Sequence, residues 1–406
     1  MKKIFLAVSA TLLLCACSGG QTDVVQLHFD AAAAQFRLAI RTVDSLTAAR
    51  PDSVVAAQGD YPRIFPRSIE PDGSLHLISS KDWTSGFFPG SLWYLYEYTH
   101  DPCWRQEAER FTARLEREQF NAGTHDVGFI INDSYGNGYR LTGDTVYRKV
   151  IIQAARTLTT RFNPAVGCLR SWNPRNGWQF PVIIDNMMNL ELLMHAWRLT
   201  GDSTFRRIAV SHADVTMRNH FRPDGSSFHV VDYDPATGEV LHRNTHQGYA
   251  DESSWARGQA WGLYGYTAMY RETGDPRYLA LAEKIAARIF SFPTMPEDLI
   301  PYWDFDAPGI PDEPRDVSAA TVTASALYEL SELTADPHYR AWADGIIASL
   351  TASYRVPQGT GYGFLLLHSV GNLPSGSEID TPLNYADYYL LEALLRKQRG
   401  EKSMNQ

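Results

Sequence analysis

The sequence predicts an all-α protein, an (α/α)6 toroid of six helical hairpins with long active-site loops. Three observations carry that expectation. One turn signature recurs five times, strand patterns are few, and 406 residues with 44% hydrophobic content suffice for one large closed core.

The signature is a helix-like segment, a tight turn ending in Asp, and an aromatic residue three positions later. It reads Thr99-His100-Asp101 with Trp104, Thr142-Gly143-Asp144 with Tyr147, and Thr200-Gly201-Asp202 with Phe205. It returns as Thr273-Gly274-Asp275 with Tyr278 and as Thr334-Ala335-Asp336 with Tyr339. Glycine supplies the left-handed residue that ends a helix. Asp accepts the free N–H groups that open the next one. Pro102, Pro276 and Pro337 follow at the first helical position, where a missing N–H costs nothing. Helices joined this tightly lie antiparallel. A further helix is expected over 385–398, giving twelve in all, and the irregular repeat spacing puts long, site-building loops at the opposite end.

Strand signals are confined to 227–233 and 363–368. The stretch 292–315 carries six prolines, yet Tyr302-Trp303-Asp304-Phe305 is too aromatic for a solvated linker. The expected organisation is a leader over 1–16, a tether over 17–35, the helical domain over 36–398 and a tail over 399–406.

Met1-Lys2-Lys3 and an eleven-residue apolar run over 4–14 form a leader too short to span a bilayer. Leu14-Cys15-Ala16-Cys17 resembles a bacterial lipobox, with Cys17 the lipidated residue. The expectation is a lipoprotein anchored by a single acyl group rather than spanning the bilayer, facing the periplasm because no acidic residue stands in 18–22. Of the remaining thiols, Cys103 and Cys168 are either free or bridged; sequence spacing leaves both open.

A formal charge of −9 argues against nucleic acid as a partner. Charged residues at 20% exclude a chain disordered over most of its length. Ten Trp, 21 Tyr and 18 Phe suit a pocket wall for sugar rings as well as a core. Phosphate-loop, metalloprotease and serine-elbow motifs are missing, and no His pair has metal-ligand spacing. No metal or cofactor is therefore expected, and paired carboxylates remain.

Asp126 lies between a polar loop and an apolar turn. Asp185 opens a strongly apolar helix, with Asn189 on the same face. Both positions also suit ordinary N-caps. Desolvation among Ile184 and Met188 would raise the Asp185 pKa toward that of a general acid. A third segment, 246–262, alternates Trp255, Arg257 and Trp261 with Ala and Gly. It suits either a ligand wall, with Arg257 as a fork for an acidic group, or close helix packing with Arg257 paired to Asp251 or Glu252.

Together these segments resemble unsaturated glucuronyl hydrolase, glycoside hydrolase family 88. The resemblance rests on Trp83-Thr84-Ser85-Gly86-Phe87-Phe88-Pro89-Gly90, His125-Asp126-Val127-Gly128-Phe129, Ile184-Asp185-Asn186-Met187-Met188-Asn189-Leu190, His246-Gln247-Gly248 and Trp255-Ala256-Arg257-Gly258-Gln259-Ala260-Trp261, spread in order over roughly 50–390. It implies an enzyme that hydrates the C4=C5 bond of a 4,5-unsaturated uronic acid at the non-reducing end of glycosaminoglycan lyase products. Asp185 would be the proton donor and water activator, and Asp126 the second acidic position. Trp83, His229, Gln247, Trp255, Arg257 and Trp261 would line the uronate subsite, and His246 would meet sulfate or the next sugar. The loop over 374–380 has serines without the lysine that members acting on sulfated substrates can carry. The alternatives are an unsaturated rhamnogalacturonyl hydrolase acting on pectin fragments and a non-catalytic glycan-binding lipoprotein.

Overall fold

The computed structural model describes residues 23–48 and 61–404. Its helices are of two kinds, and burial separates them. Pro276–Ser291 buries Tyr278, Leu281, Ala282, Ile285, Ala286 and Ile289, a single stripe at three- and four-residue spacing. Such a helix faces the core on one side and water on the other. Ala256–Thr273 is buried on every face from Ala256 to Met269, and Val317–Thr334 from Val317 to Leu330. These are inner helices.

Phe87–Thr99, Asn186–Thr200, Ala256–Thr273, Val317–Thr334 and Asn384–Met404 line the centre. The sixth inner element joins Val127–Ile131, a π turn Asn132–Gly136 and Asn137–Thr142 end to end. Val24–Ala48, Pro102–Ala113, Thr145–Thr159, Ser203–Asn219, Pro276–Ser291 and Pro337–Ser353 form the outer ring. The ring closes where Asn384–Met404 packs against Phe87–Thr99. The expected (α/α)6 toroid is observed.

All five signature turns join the end of an inner helix to the start of an outer one. Asp101, Asp144, Asp202, Asp275 and Asp336 each accept the backbone N–H two residues on, at 2.7–2.9 Å. The residue before each Asp is left-handed: His100, Gly143, Gly201, Gly274 and Ala335. The signature threonine contributes a bond that the motif alone did not disclose. Its hydroxyl donates to the carbonyl four residues back and accepts the N–H of the Asp, as at Thr200 and Asp202.

Two expected boundaries are corrected. A tether to residue 35 is not what is found, because Val24–Ala48 is one helix burying Val25, Phe29, Ala32, Phe36, Ile40 and Val43. The alanine run over 31–34 masks this stripe in sequence, although alanine is the best helix former. At the other end, Asn384–Met404 extends through most of the expected tail, and Glu401 there pairs with Arg340 and Lys397.

Strands are short and serve the loops. Pro181–Ile183, Val230–Tyr233 and Val240–Asn244 form a three-stranded antiparallel sheet over the mouth of the ring. Of the segment 363–368, only Leu366 is bridged, to Arg355. The proline-rich 292–315 stretch is a packed loop that buries Tyr302, Trp303, Asp304 and Phe305. Both described cysteines are free, Cys103 exposed and Cys168 buried.

Candidate active site

The inner helices all begin at the loop-covered mouth, so their first residues converge there. Asp126 precedes Val127–Ile131 and Asp185 precedes Asn186–Thr200, the position an N-cap occupies. Neither side chain caps its helix. This sets them apart from the five hairpin aspartates. Asp126 instead accepts the Thr124 hydroxyl at 2.7 Å, and Oδ2 of buried Asp185 has no hydrogen-bond partner. A buried acceptor left free costs about 1–3 kcal/mol, so it is held there by the surrounding fold.

Two close approaches bring the carboxylates together. Asn189 Oδ1 accepts the Phe129 N–H at 3.0 Å, tying one inner helix to the other. A Cβ at Gly128 would meet Asn189 at 2.3 Å, and one at Gly86 would meet the Phe129 carbonyl at 2.3 Å. Only glycine lets these three helix starts nest. The sheet then sets His229 beside Asp185, since the Ile184 N–H donates to the His229 carbonyl at 3.0 Å.

A cavity of about 320 Å3 opens above them. Trp83, Asp126, Asp185, His246 and Gln247 line it. His229 stands behind, with Nε2 3.7 Å from Asp185 Oδ2. Its Nδ1 accepts the N–H groups of His246 at 3.1 Å and Gln247 at 3.2 Å. An imidazole that accepts at Nδ1 carries its proton on Nε2. Burial holds His229 well below the ordinary histidine range, reinforced by His246 and Arg257, so a neutral ring points an N–H at Asp185.

Burial pushes the Asp185 carboxyl up to about 7. Arg257 opposes the rise, Asp126 adds to it, and the Trp261 indole opposes it. A carboxyl raised toward neutrality suits a residue that must donate a proton and then accept one.

Three expected wall residues lie elsewhere. Trp255 packs beneath His229, ring centroids 4.6 Å apart, and Trp261 is buried against Phe129 at 5.4 Å. Arg257 is 1% exposed and is no open fork. Its guanidinium donates to Asp316 at 2.8 Å and to the carbonyls of Val370 and Gly371. Asp251 and Glu252 are not its partners; Glu252 lies by Arg222. Sequence could not place Asp316, which comes from a helix about sixty residues on.

The cavity wall also includes residues that sequence reasoning passed over. Trp172 and Arg175 are two of them. Trp172 stacks on Trp178, outside the lining, with centroids 5.6 Å apart, and meets His246 edge-on at 5.2 Å. The Arg175 guanidinium lies 4.1 Å from the Trp172 ring and makes no ion pair with any described residue. Two Trp bracketing an Arg in a Pro/Gly loop was the available signal. Arg67 lies in the wall too, clamped by Asp82 and Glu378. Asn372, Ser375 and Ser377 complete the rim.

A six-hairpin toroid whose loop mouth holds a desolvated carboxyl with a raised pKa, a second acidic side chain and an aromatic wall defines a glycoside hydrolase. The comparisons narrow this. The chain belongs to glycosyl hydrolase family 88, whose family model matches residues 65–288. It is 47% identical to an unsaturated glucuronyl hydrolase of Formosa agariphila, over 82% of this chain and 84% of that protein. A solved unsaturated glucuronyl hydrolase specific for heparin superposes with a TM-score of 0.86 at 47% identity, covering 94% of this chain and 98% of that one. An unsaturated glucuronyl hydrolase mutant from Streptococcus agalactiae, complexed with dGlcA-GalNAc6S, is 29% identical with a TM-score of 0.73, over 92% and 91% of the two chains.

Proposed function

We propose that this enzyme hydrates the C4=C5 bond of a 4,5-unsaturated uronic acid at the non-reducing end of glycosaminoglycan lyase products. The observation that carries the reading is Asp185: a free carboxyl oxygen, desolvated, close to neutrality in its titration and faced by the His229 Nε2–H.

The steps follow from that group. Protonated Asp185 gives its proton to C4 of the vinyl ether. Positive charge develops at C5 and the ring oxygen, and water adds at C5. The Asp185 carboxylate takes the proton that this water releases, which restores the starting state. The sum is addition of one water. The product carries a hemiketal at C5, which opens and releases the remaining saccharide. Since no acetal is displaced directly, the separation of the two carboxyls does not set the stereochemistry as it does in ordinary glycosidases. Asp126 raises the proton affinity of Asp185 and presents a carboxylate to sugar hydroxyls. Trp83 and Trp172 offer faces to the sugar rings. Arg175 supplies the unpaired positive charge for an acidic or sulfated sugar, while His246, Gln247, Ser375 and Ser377 meet its polar edge.

The substrate class is supported by the names of the relatives, among them the heparin-specific structure. The lipobox at 14–17 supports a lipid-anchored, periplasm-facing protein; Cys17 lies outside the described residues, and no described helix is long and apolar enough to cross a membrane.

Unsaturated disaccharides of chondroitin, hyaluronan and heparin, sulfated and unsulfated, are incubated with the enzyme, beside the unsaturated rhamnogalacturonan disaccharide. The C4=C5 ultraviolet absorbance of at least one glycosaminoglycan product should disappear. Turnover of the pectin disaccharide alone would assign the rhamnogalacturonyl reading. Tight binding without loss of absorbance would leave a glycan-binding protein.

A further inference from the structure

A second cavity, about 380 Å3, opens at the other end of the toroid, between the C-terminal halves of the inner helices. Tyr94, Tyr139, Tyr264 and Tyr388 form much of its wall, together with Asp133 in the π turn. π turns that interrupt helices are frequent at functional positions.

The charged groups around it pair with one another, and one carboxyl is left over. Glu97 takes Arg140 and Arg399. Glu272 takes Arg198 and Arg271. Arg271 also reaches Glu191 and Glu329. Arg396 pairs with Glu329 and Glu392. Every guanidinium is thus matched by a carboxylate. Asp133 alone stands outside this network, 7% exposed, with Oδ2 unpartnered. Glu392 is in addition saturated by the hydroxyls of Tyr94, Tyr264 and Ser325.

We propose that this mouth binds a small organic monocation, a primary ammonium compound, with its nitrogen against Asp133 Oδ2. The site offers one buried carboxyl oxygen that no arginine pairs, and that oxygen can receive a cation. An anion finds no unpaired arginine among these five. The volume equals that of about a dozen waters, at ~30 Å3 each, far beyond the shell of a bare alkali ion. The described residues also hold no group of three His, Cys, Asp or Glu side chains fit for a metal. Tyrosine faces add attraction for an ammonium group.

Burial, and then the charges of Glu191 and Glu392, hold Asp133 well above the carboxylate range, against the Tyr388 hydroxyl. Nearby His195 is kept neutral by burial and by Arg198, at about 4. Without a cation the Asp133 carboxyl therefore keeps its proton. An incoming R–NH3+ retains its own three protons, the carboxyl releases one to solvent, and an ion pair forms.

Calorimetry tests this with glucosamine hydrochloride at pH 7 in two buffers of different ionisation enthalpy. Glucose serves as the neutral isostere and potassium chloride as the alkali arm. Wild type should bind glucosamine and release about one proton per site, while glucose and potassium should not compete. Asp133→Asn should weaken binding at least ten-fold, abolish proton release and leave uronate turnover unchanged. Tyr139→Ala, at the half-buried rim, should weaken binding about 2–5-fold while keeping proton release, which holds the test open if the Asp133 variant does not fold. The proposal is overturned if glucosamine does not bind, if glucose or potassium competes equally, or if Asp133→Asn binds as wild type does.

Discussion

His229 Nε2 stands 3.7 Å from Asp185 Oδ2, on a ring whose Nδ1 is held by two backbone N–H groups of the 246–247 loop. The loop thereby sets which nitrogen faces the carboxyl. A neutral ring there adds no positive charge beside Asp185, so burial still pushes the carboxyl up to about 7.

Asp185→Asn keeps shape and polarity and loses the proton. General acid–base help is typically worth about 10²–10⁴-fold, so kcat should fall by at least that factor. Saccharide binding should persist, because the Trp walls and Arg175 are untouched. Steady-state loss of the C4=C5 absorbance, with calorimetric binding on the same variant, checks both halves. A rate within a few-fold of wild type would move the proton donor elsewhere.

The pH profile follows from the same group. Asp185 must be protonated to begin the reaction, so the rate should fall on the alkaline side around pH 7. The negative charge of Asp126 contributes to the raised value. Asp126→Asn removes that charge, and the alkaline limb should move to lower pH. A limb that stays in place, or moves upward, would separate the two carboxyls electrostatically.

Arg257→Lys tests a role different from the one sequence assigned. Lysine keeps the charge and loses the fork that bridges Asp316, Val370 and Gly371. The variant should lose about 1–3 kcal/mol of stability from unmade buried hydrogen bonds. KM should rise as the Gly371 segment of the cavity wall loosens. Denaturant melts beside kinetics decide it: an unchanged midpoint would contradict the buried clamp.

Asp202→Ala should cost about 0.5–2 kcal/mol through loss of a cap, with kcat unchanged. Asp185→Ala, at the same nominal position of its own helix, should show no cap loss, since its side chain caps nothing. Paired denaturation curves make the comparison.

Cys17→Ser should release the protein from the membrane fraction while its activity persists in the soluble fraction. Fractionation followed by the absorbance assay reads both. Continued membrane association would point to another anchor.

What the sequence determined by itself is local. A cap needs only an Asp two residues before an amide, and a left-handed turn only the residue beside it. Hence the five hairpins, and with them the toroid, were legible before any contact was known. Asp126 and Asp185 were legible as candidates because each sits in a polar position against apolar neighbours. Whether they cap or react was not, since the answer depends on where His229, Asn189 and Trp261 lie in space. Arg257 shows the limit most sharply. Its partners, Asp316 and the Val370–Gly371 carbonyls, come from other loops of the ring, so only the closed toroid could turn an apparent substrate fork into a buried clamp. The placing of Trp172 beside His246 and the unpaired carboxyl of Asp133 are likewise products of closure: both depend on which side chains from different hairpins share one mouth, and pairing in space leaves no periodic trace in sequence.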